Sequence, residues 1–161
     1  MLKNISARNA AVAIAAIATA TIAGAWIFEY FGYAPCPLCL KQRWAYYAGI
    51  PLALAVAAIA PGSRNAAKAG LVLLALLWTG SAIFGAYHAG VEWKFWPGPG
   101  TCGGDVSGIL PDLSKKVIAC DEAAIRILGL SLAGWNTAIS LAMAAIALAG
   151  TRHQGSSSVS Q

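Results

Sequence analysis

The sequence predicts an all-α membrane protein, a four-transmembrane-helix bundle with two cysteine-bearing loops on one side. Three observations carry that prediction. First, residues 10–28, 44–63, 69–87 and 127–151 contain no Asp, Glu, Lys or Arg. Each run is near the roughly 20 residues that an α-helix needs to cross the hydrocarbon core of a bilayer. Second, only 11% of the 161 residues are charged and 58% are hydrophobic, whereas a soluble domain carries about 25% charged residues. Third, the polar segments between the runs are sorted: every acid and every cysteine falls in the segments of one side. A very apolar soluble bundle is the alternative, and uncharged runs of this length argue against it.

Residues 1–150 are read as one four-helix domain, with spans at about 10–28, 44–61, 69–88 and 128–149. The first span follows Lys3 and Arg8 and contains Ala23-Gly24-Ala25, the outline of a signal peptide. Its apolar stretch is longer than a signal peptide's core of about 7–15 residues, so it is kept as a span. Residues 29–43 form a tight loop holding Cys36 and Cys39, and the second helix begins near Cys39 or Lys41. Pro51 kinks or starts that helix without breaking the span, because neighbouring helices can satisfy the freed carbonyl. A basic turn over 62–68 leads into the third span, which ends near His88.

Residues 89–127 form the one long loop. Trp96-Pro97-Gly98-Pro99-Gly100 is a turn signal inside it. Further on, Val106, Ile109, Leu110, Leu113, Val117 and Ile118 recur at helical spacing beside Lys115 and Lys116, with Pro111 interrupting. That pattern fits either a short amphipathic helix on the membrane surface or a loop packed on the helix ends. The fourth span follows, and the Ser-rich residues 151–161 read as a disordered cytoplasmic tail.

Charge gives the orientation. Lys3, Arg8, Arg64, Lys68 and Arg152 flank the spans on one side with no acid among them. The other side holds six basic residues, so a bare count does not decide; the rule weights short loops and the start of the chain. On that basis both termini and the 62–68 turn are cytoplasmic. The cysteine loops then face an oxidising compartment where disulfides persist. The net charge of +5 is thereby a topology signal and no indication of nucleic acid. The aromatics are equally one-sided: Trp26, Phe28, Tyr30, Phe31, Tyr33, Trp44, Tyr46, Tyr47, Tyr87, Trp93, Phe95, Trp96 and Trp135 all fall near the outer ends. They fit an interfacial belt or the lining of a pocket for a flat apolar ring.

The chemistry rests on four thiols. Cys36-Pro37-Leu38-Cys39 can close as a small disulfide ring, a geometry that favours an oxidising potential. The pair precedes the second helix, whose free N–H groups favour a thiolate. Arg43 lies one turn after Cys39, where its charge can stabilise a Cys39 thiolate or an anionic acceptor; the plainer role is an interfacial anchor. Cys102 and Cys120 can also meet, and closing that loop stabilises it by about 3 kcal/mol in the chain-entropy model. A static structural disulfide and a zinc site of all four cysteines are the alternatives, and four cysteines allow three connectivities. His88, at the same depth, can donate to a carbonyl, move a proton, or simply sit at the interface.

The arrangement resembles the DsbB family of quinone-linked membrane thiol oxidoreductases. The likeness rests on Pro35-Cys36-Pro37-Leu38-Cys39 with Gln42-Arg43, on Tyr87-His88-Ala89-Gly90-Val91-Glu92-Trp93, and on Gly129-Leu130-Ser131 with Gly134-Trp135-Asn136. The resemblance covers most of the chain apart from the termini, and the segment between Cys102 and Cys120 is short for the family. It implies a bacterial inner-membrane enzyme and a route for two electrons. A periplasmic thioredoxin-fold, DsbA-like oxidase attacks the Cys102–Cys120 disulfide, with Cys102 forming the mixed disulfide. Cys120 passes the electrons to Cys36, and Cys39 faces a quinone, ubiquinone or menaquinone, whose carbonyls Arg43 and His88 polarise. No metal is implied. Two rival readings remain: a vitamin K epoxide reductase-like enzyme, whose Cys-x-x-Cys is expected late rather than early, and a non-catalytic membrane protein stapled by two disulfides.

Overall fold

A computed structural model describes residues 5–102 and 119–152. The predicted surface helix in the long loop lies outside the described residues, as does the predicted tail beyond residue 152. Four helices dominate: α1 (Ala7–Tyr30), α2 (Pro37–Ile59), α3 (Arg64–Glu92) and α4 (Leu132–Arg152). They run alternately up and down. The start of α1 meets the end of α4, where Gly150 faces Ala10, and the start of α2 meets the end of α3, where Cys36 faces His88. Both cysteine-bearing segments therefore lie at one end of the bundle.

Each helix overruns or shifts its predicted span. Side-chain caps set the starts: Ser6 accepts from the Asn9 N–H, Ser63 from the Ala66 N–H and Ser131 from the Gly134 N–H. These caps satisfy N–H groups that have no partner within the helix. The uncharged run marks only the part suited to hydrocarbon, and the helix continues past it. Thus α2 starts at Pro37 and carries Cys39 and Arg43 within helix, and α3 runs beyond His88 to Glu92. Thr151 and Arg152, predicted as tail, close α4. At the far end of α1, Gly32 takes φ +92 and the Tyr33 N–H reaches back to the Phe28 carbonyl. This is a Schellman stop, whose left-handed position suits glycine.

The all-α prediction needs one correction. β1 (Arg126–Ile127) pairs antiparallel with β2 (Leu130–Ser131), so the segment expected to begin the fourth span is a small hairpin and α4 starts at Leu132. Its two central residues, Leu128 and Gly129, both have positive φ, the conformation of a two-residue type I′ turn.

Three helices, α1, α3 and α4, are long and apolar enough to cross a membrane among the described residues. α2 carries Lys41, Gln42 and Arg43 near its start and is not in that set. The core between the helices is built from small residues around a few large ones, among them Ile14, Leu71, Leu74, Trp78 and Met143. Small residues let helix backbones approach closely. At Gly49 of α2 an added Cβ would stand 2.6 Å from the Trp78 ring. Two buried hydrogen bonds tie α4 to its neighbours: the Tyr46 hydroxyl donates to Asn136 Oδ1 at 2.6 Å, and the Ser140 hydroxyl to Ser81 at 3.0 Å.

Candidate active site

All four cysteines gather at the loop end of the bundle. Cys102 and Cys120 are joined in a disulfide, with Cα atoms 5.1 Å apart, whereas Cys36 and Cys39 are free. Cys102 lies at the end of a 3-10 turn (Gly100–Cys102), its N–H held by the Pro99 carbonyl at 2.8 Å. The Pro-Gly segment predicted as a turn thus delivers that cysteine. Cys102, at 4% exposure, and Cys120, at 0%, pack with Cys36 and Leu38 in a single buried cluster.

Cys36 is the N-cap of α2, the place that serine takes in the other three helices. Its Sγ accepts from the Cys39 backbone N–H at 3.2 Å and lies 2.7 Å from Cys39 Sγ and 3.6 Å from His88 Nε2. The Cys39 sulfur is the largest cause holding the Cys36 thiol well below its ordinary pKa; burial opposes it, and His88 and the Cys39 N–H add to it. Cys39 moves the opposite way, pushed up by the Cys36 sulfur and by burial. The negative charge is therefore favoured on Cys36 over Cys39, chiefly through the facing Cys39 sulfur, and the N-cap position adds the Cys39 N–H of the first turn.

His88 and Glu92 stand one turn apart on α3. The Gln42 amide Nε2 donates to His88 Nδ1 at 2.7 Å, which leaves the ring proton on Nε2, facing Cys36. Glu92 Oε1 lies 3.8 Å from the same nitrogen. The α3 helix has 29 residues, more than the roughly 20 that hydrocarbon requires, and Glu92, its last residue, lies one turn beyond the end of the span predicted from the sequence. Burial pushes its carboxyl up, with Ser131 and His88 partly offsetting. Glu92 was absent from the sequence-based site because the helix was expected to end near His88.

On the other face of Cys39 lies a cavity of about 420 Å³. Cys39 and Arg43 line it with Gln42 and Tyr46 from α2, Phe28 and Tyr33 from the α1 end, and Trp135 and Asn136 from α4. Trp135 is fixed there by donating its indole N–H to the Ile127 carbonyl at 3.0 Å across the hairpin. The one-sided aromatics thus divide. These few line the cavity, while Tyr30, Phe31, Trp44 and Phe95 point outward, as an interfacial belt does. Arg43 is only 12% exposed and makes a 2.7 Å ion pair with Glu29, a partner that the sequence alone did not give it. His88, expected at the same pocket, is not among the lining residues and contacts the cysteine side instead.

Metal binding fits poorly. The Cys102–Cys120 bond removes the four-cysteine zinc site. Cys36, Cys39 and His88 bring their ligand atoms within 4.8 Å of one another. However, two thiolates on tetrahedral zinc sit about 3.8 Å apart given Zn–S of about 2.3 Å, and these sulfurs are 2.7 Å apart. The cluster is arranged for sulfur–sulfur chemistry.

Comparison with known proteins agrees. The family described as "Disulfide bond formation protein DsbB" matches residues 7–150. The chain is 28% identical over 144 residues to the uncharacterized protein RP370 of Rickettsia prowazekii, covering 82% of this chain and 78% of that one. It is 30% identical over 136 residues to a disulfide bond formation protein B of Polaromonas, covering 79% and 77%. It is 32% identical over 127 residues to that of Albidiferax ferrireducens, covering 70% and 68%. No solved structure matches. With the family match spanning nearly all of the described residues, the chain belongs to the DsbB family and is a multi-pass membrane disulfide oxidoreductase that serves disulfide bond formation.

Proposed function

We propose that this protein is an inner-membrane thiol–quinone oxidoreductase that reoxidises a periplasmic DsbA-like dithiol oxidase. α2 is the fourth crossing, through its uncharged part from Trp44 to Ile59; both termini are cytoplasmic and the cysteine end is periplasmic. The observation that carries the reading is the position of the Cys36–Cys39 pair. Cys36 packs against the Cys102–Cys120 disulfide, and Cys39 lines the cavity that holds Arg43. One pair of sulfurs thus touches both the electron source and the acceptor's place.

The residues fit a quinone, whether ubiquinone or menaquinone. The cavity is apolar and walled by Phe28, Tyr33 and Trp135, and its donors are the Arg43 guanidinium, the Gln42 amide and the Tyr46 hydroxyl. A bound quinone supplies an acceptor for two electrons and two protons. The chain supplies everything before that. A partner thiolate bonds to Cys102 Sγ, and the Cys102–Cys120 bond breaks with Cys120 leaving as the thiolate. Cys120 then bonds to Cys36 of a closed Cys36–Cys39 disulfide, the oxidised form of the pair that is free here, and that bond breaks, leaving the electron pair on Cys39 at the cavity wall. The partner's second thiolate bonds to the partner sulfur held by Cys102 and releases Cys102 as a thiolate; Cys102 bonds back to Cys120, and Cys36 leaves as the thiolate. One partner disulfide is made, Cys102–Cys120 is closed again and Cys36 and Cys39 are left reduced. Thiol–disulfide exchange of this kind needs an accessible thiolate and a good leaving sulfur. Because Cys102 is almost fully buried, docking must uncover it. Arg43 orients the acceptor's carbonyl, and His88 holds the cysteine side.

The test uses purified protein, a reduced thioredoxin-fold dithiol partner and a soluble quinone, following quinone absorbance. Reduction that is lost on Cys39→Ser supports the reading. Quinone reduction that persists undiminished in Cys39→Ser would sink it. The staple alternative requires both disulfides to stay closed under mild reductant, whatever the quinone state.

A further inference from the structure

We propose that Glu92 is a positioning residue for Cys36: it competes with the Cys36 sulfur for the single N–H on His88 Nε2, so its protonation state sets how firmly the Cys36 thiolate is held. The inference deepens the oxidoreductase reading and rests on it for its purpose, but not for its test.

The geometry is a shared donor. His88 and Glu92 are four residues apart on α3, so they share a face. Gln42, crossing from α2, gives its amide N–H to Nδ1 and thereby commits the ring's own proton to Nε2. That nitrogen is within hydrogen-bond distance of Cys36 Sγ at 3.6 Å, and Glu92 Oε1 stands just beyond it at 3.8 Å, close enough to take the N–H by a small movement. One N–H cannot serve both anions fully. Glu92 is 9% exposed, and its second oxygen, Oε2, has no hydrogen-bond partner among the described residues. A buried carboxylate with an empty oxygen is costly to keep ionised.

The surroundings define a coupled pair. His88 faces Glu92 from its own helix, the Cys36 and Cys39 sulfurs from the start of α2, and Arg126 and Ser131 from the hairpin. Arg126, Ser131 and His88 favour the carboxylate; burial and the Cys36 thiolate oppose it. When the carboxyl is neutral, the Nε2–H is left to the Cys36 sulfur. When it ionises, it draws that N–H away and sets a negative charge beside the thiolate. Cys36 and Glu92 therefore titrate together. The consequence falls on exchange chemistry, because a better-held thiolate leaves more readily and attacks less strongly.

The experiment follows the buried carboxyl stretch of Glu92 against pH by infrared difference spectroscopy, in the reduced full-length protein in detergent. No quinone or partner is added, so the outcome is independent of whether the protein reduces quinone. Cys36 is held below its ordinary value and Glu92 above its own, so the thiolate forms first and the competition is read on Glu92. Glu92→Gln identifies the stretch by removing it. Cys36→Ser removes the thiolate and should lower the pH at which the stretch is lost by about one unit, a roughly tenfold gain in the carboxylate-to-acid ratio. A stretch lost at the same pH or at a higher one in Cys36→Ser overturns the proposal, since a residue that only braced the hairpin would be unmoved. Should Cys36→Ser not fold, alkylating Cys36 in the wild type makes the same comparison, and no downward shift there also refutes the competition.

Discussion

Replacing His88 by alanine removes the one side-chain donor outside the Cys-x-x-Cys pair that faces Cys36 among the described residues, and its effect can be sized. The Nε2–Sγ distance is 3.6 Å and both groups are buried. A hydrogen bond to a charged group contributes about 1.5–3 kcal/mol, and a contact this long belongs near the lower figure. At 1.36 kcal/mol per pKa unit, about 1.5 kcal/mol corresponds to a rise of roughly one pH unit in the Cys36 titration. The sign follows from the mechanism: the donor favours the thiolate, so losing it moves the midpoint up. The Cys39 N–H and sulfur contacts survive, so Cys36 should remain below an ordinary thiol. The assay is the alkylation rate of Cys36 against pH in reduced protein, compared with Gln42→Ala, which frees the ring's orientation but keeps the imidazole. An unchanged or lowered midpoint in His88→Ala would refute the assignment of His88 to the thiolate.

Three further perturbations follow from the geometry. Arg43→Ala removes the guanidinium from the cavity and should weaken apparent quinone affinity by roughly tenfold or more, the worth of a hydrogen bond to a charged group. Exchange at Cys102–Cys120 should be untouched, and unchanged quinone titration curves would return Arg43 to an anchor paired with Glu29. Cys102→Ala should abolish the mixed disulfide with the dithiol partner on non-reducing gels; an adduct trapped at another cysteine would reverse the assigned order. Gly49→Ala drives a methyl against the fully buried Trp78 ring and should cost about 1–3 kcal/mol. That loss is measurable as a lower thermal midpoint in detergent, and an unaltered midpoint would mean that α2 and α3 pack less tightly than described.

The sequence made the helices legible because bilayer thickness fixes the length of an uncharged run. It marked where the four helices lie and missed their ends, since caps such as Ser6 and Cys36 lie outside those runs. The Cys-x-x-Cys pair and Arg43 could be read from spacing alone. Gln42 and His88 could not be joined, being 46 residues apart and meeting only when α2 packs on α3. Glu92 had a visible signal in its four-residue spacing from His88, and the expectation of a helix end concealed it. The hairpin after Cys120 was hidden because Leu128 adopts a positive φ that leucine rarely takes.

The burial of Cys102 and Cys120 bears on what the protein must not do. A relay open to solvent would exchange with every small thiol in its compartment, and its oxidising power would leak away. Here each bonded sulfur is shielded by Leu38 and by the neighbouring cysteines. Exchange requires the attacking thiolate to reach a sulfur, so this burial would slow small dithiols even where the reaction is downhill. On the proposed relay the sulfurs are wired with insulation, and selectivity for a partner would come from which molecule can strip that insulation rather than from the potentials of the sulfurs inside it.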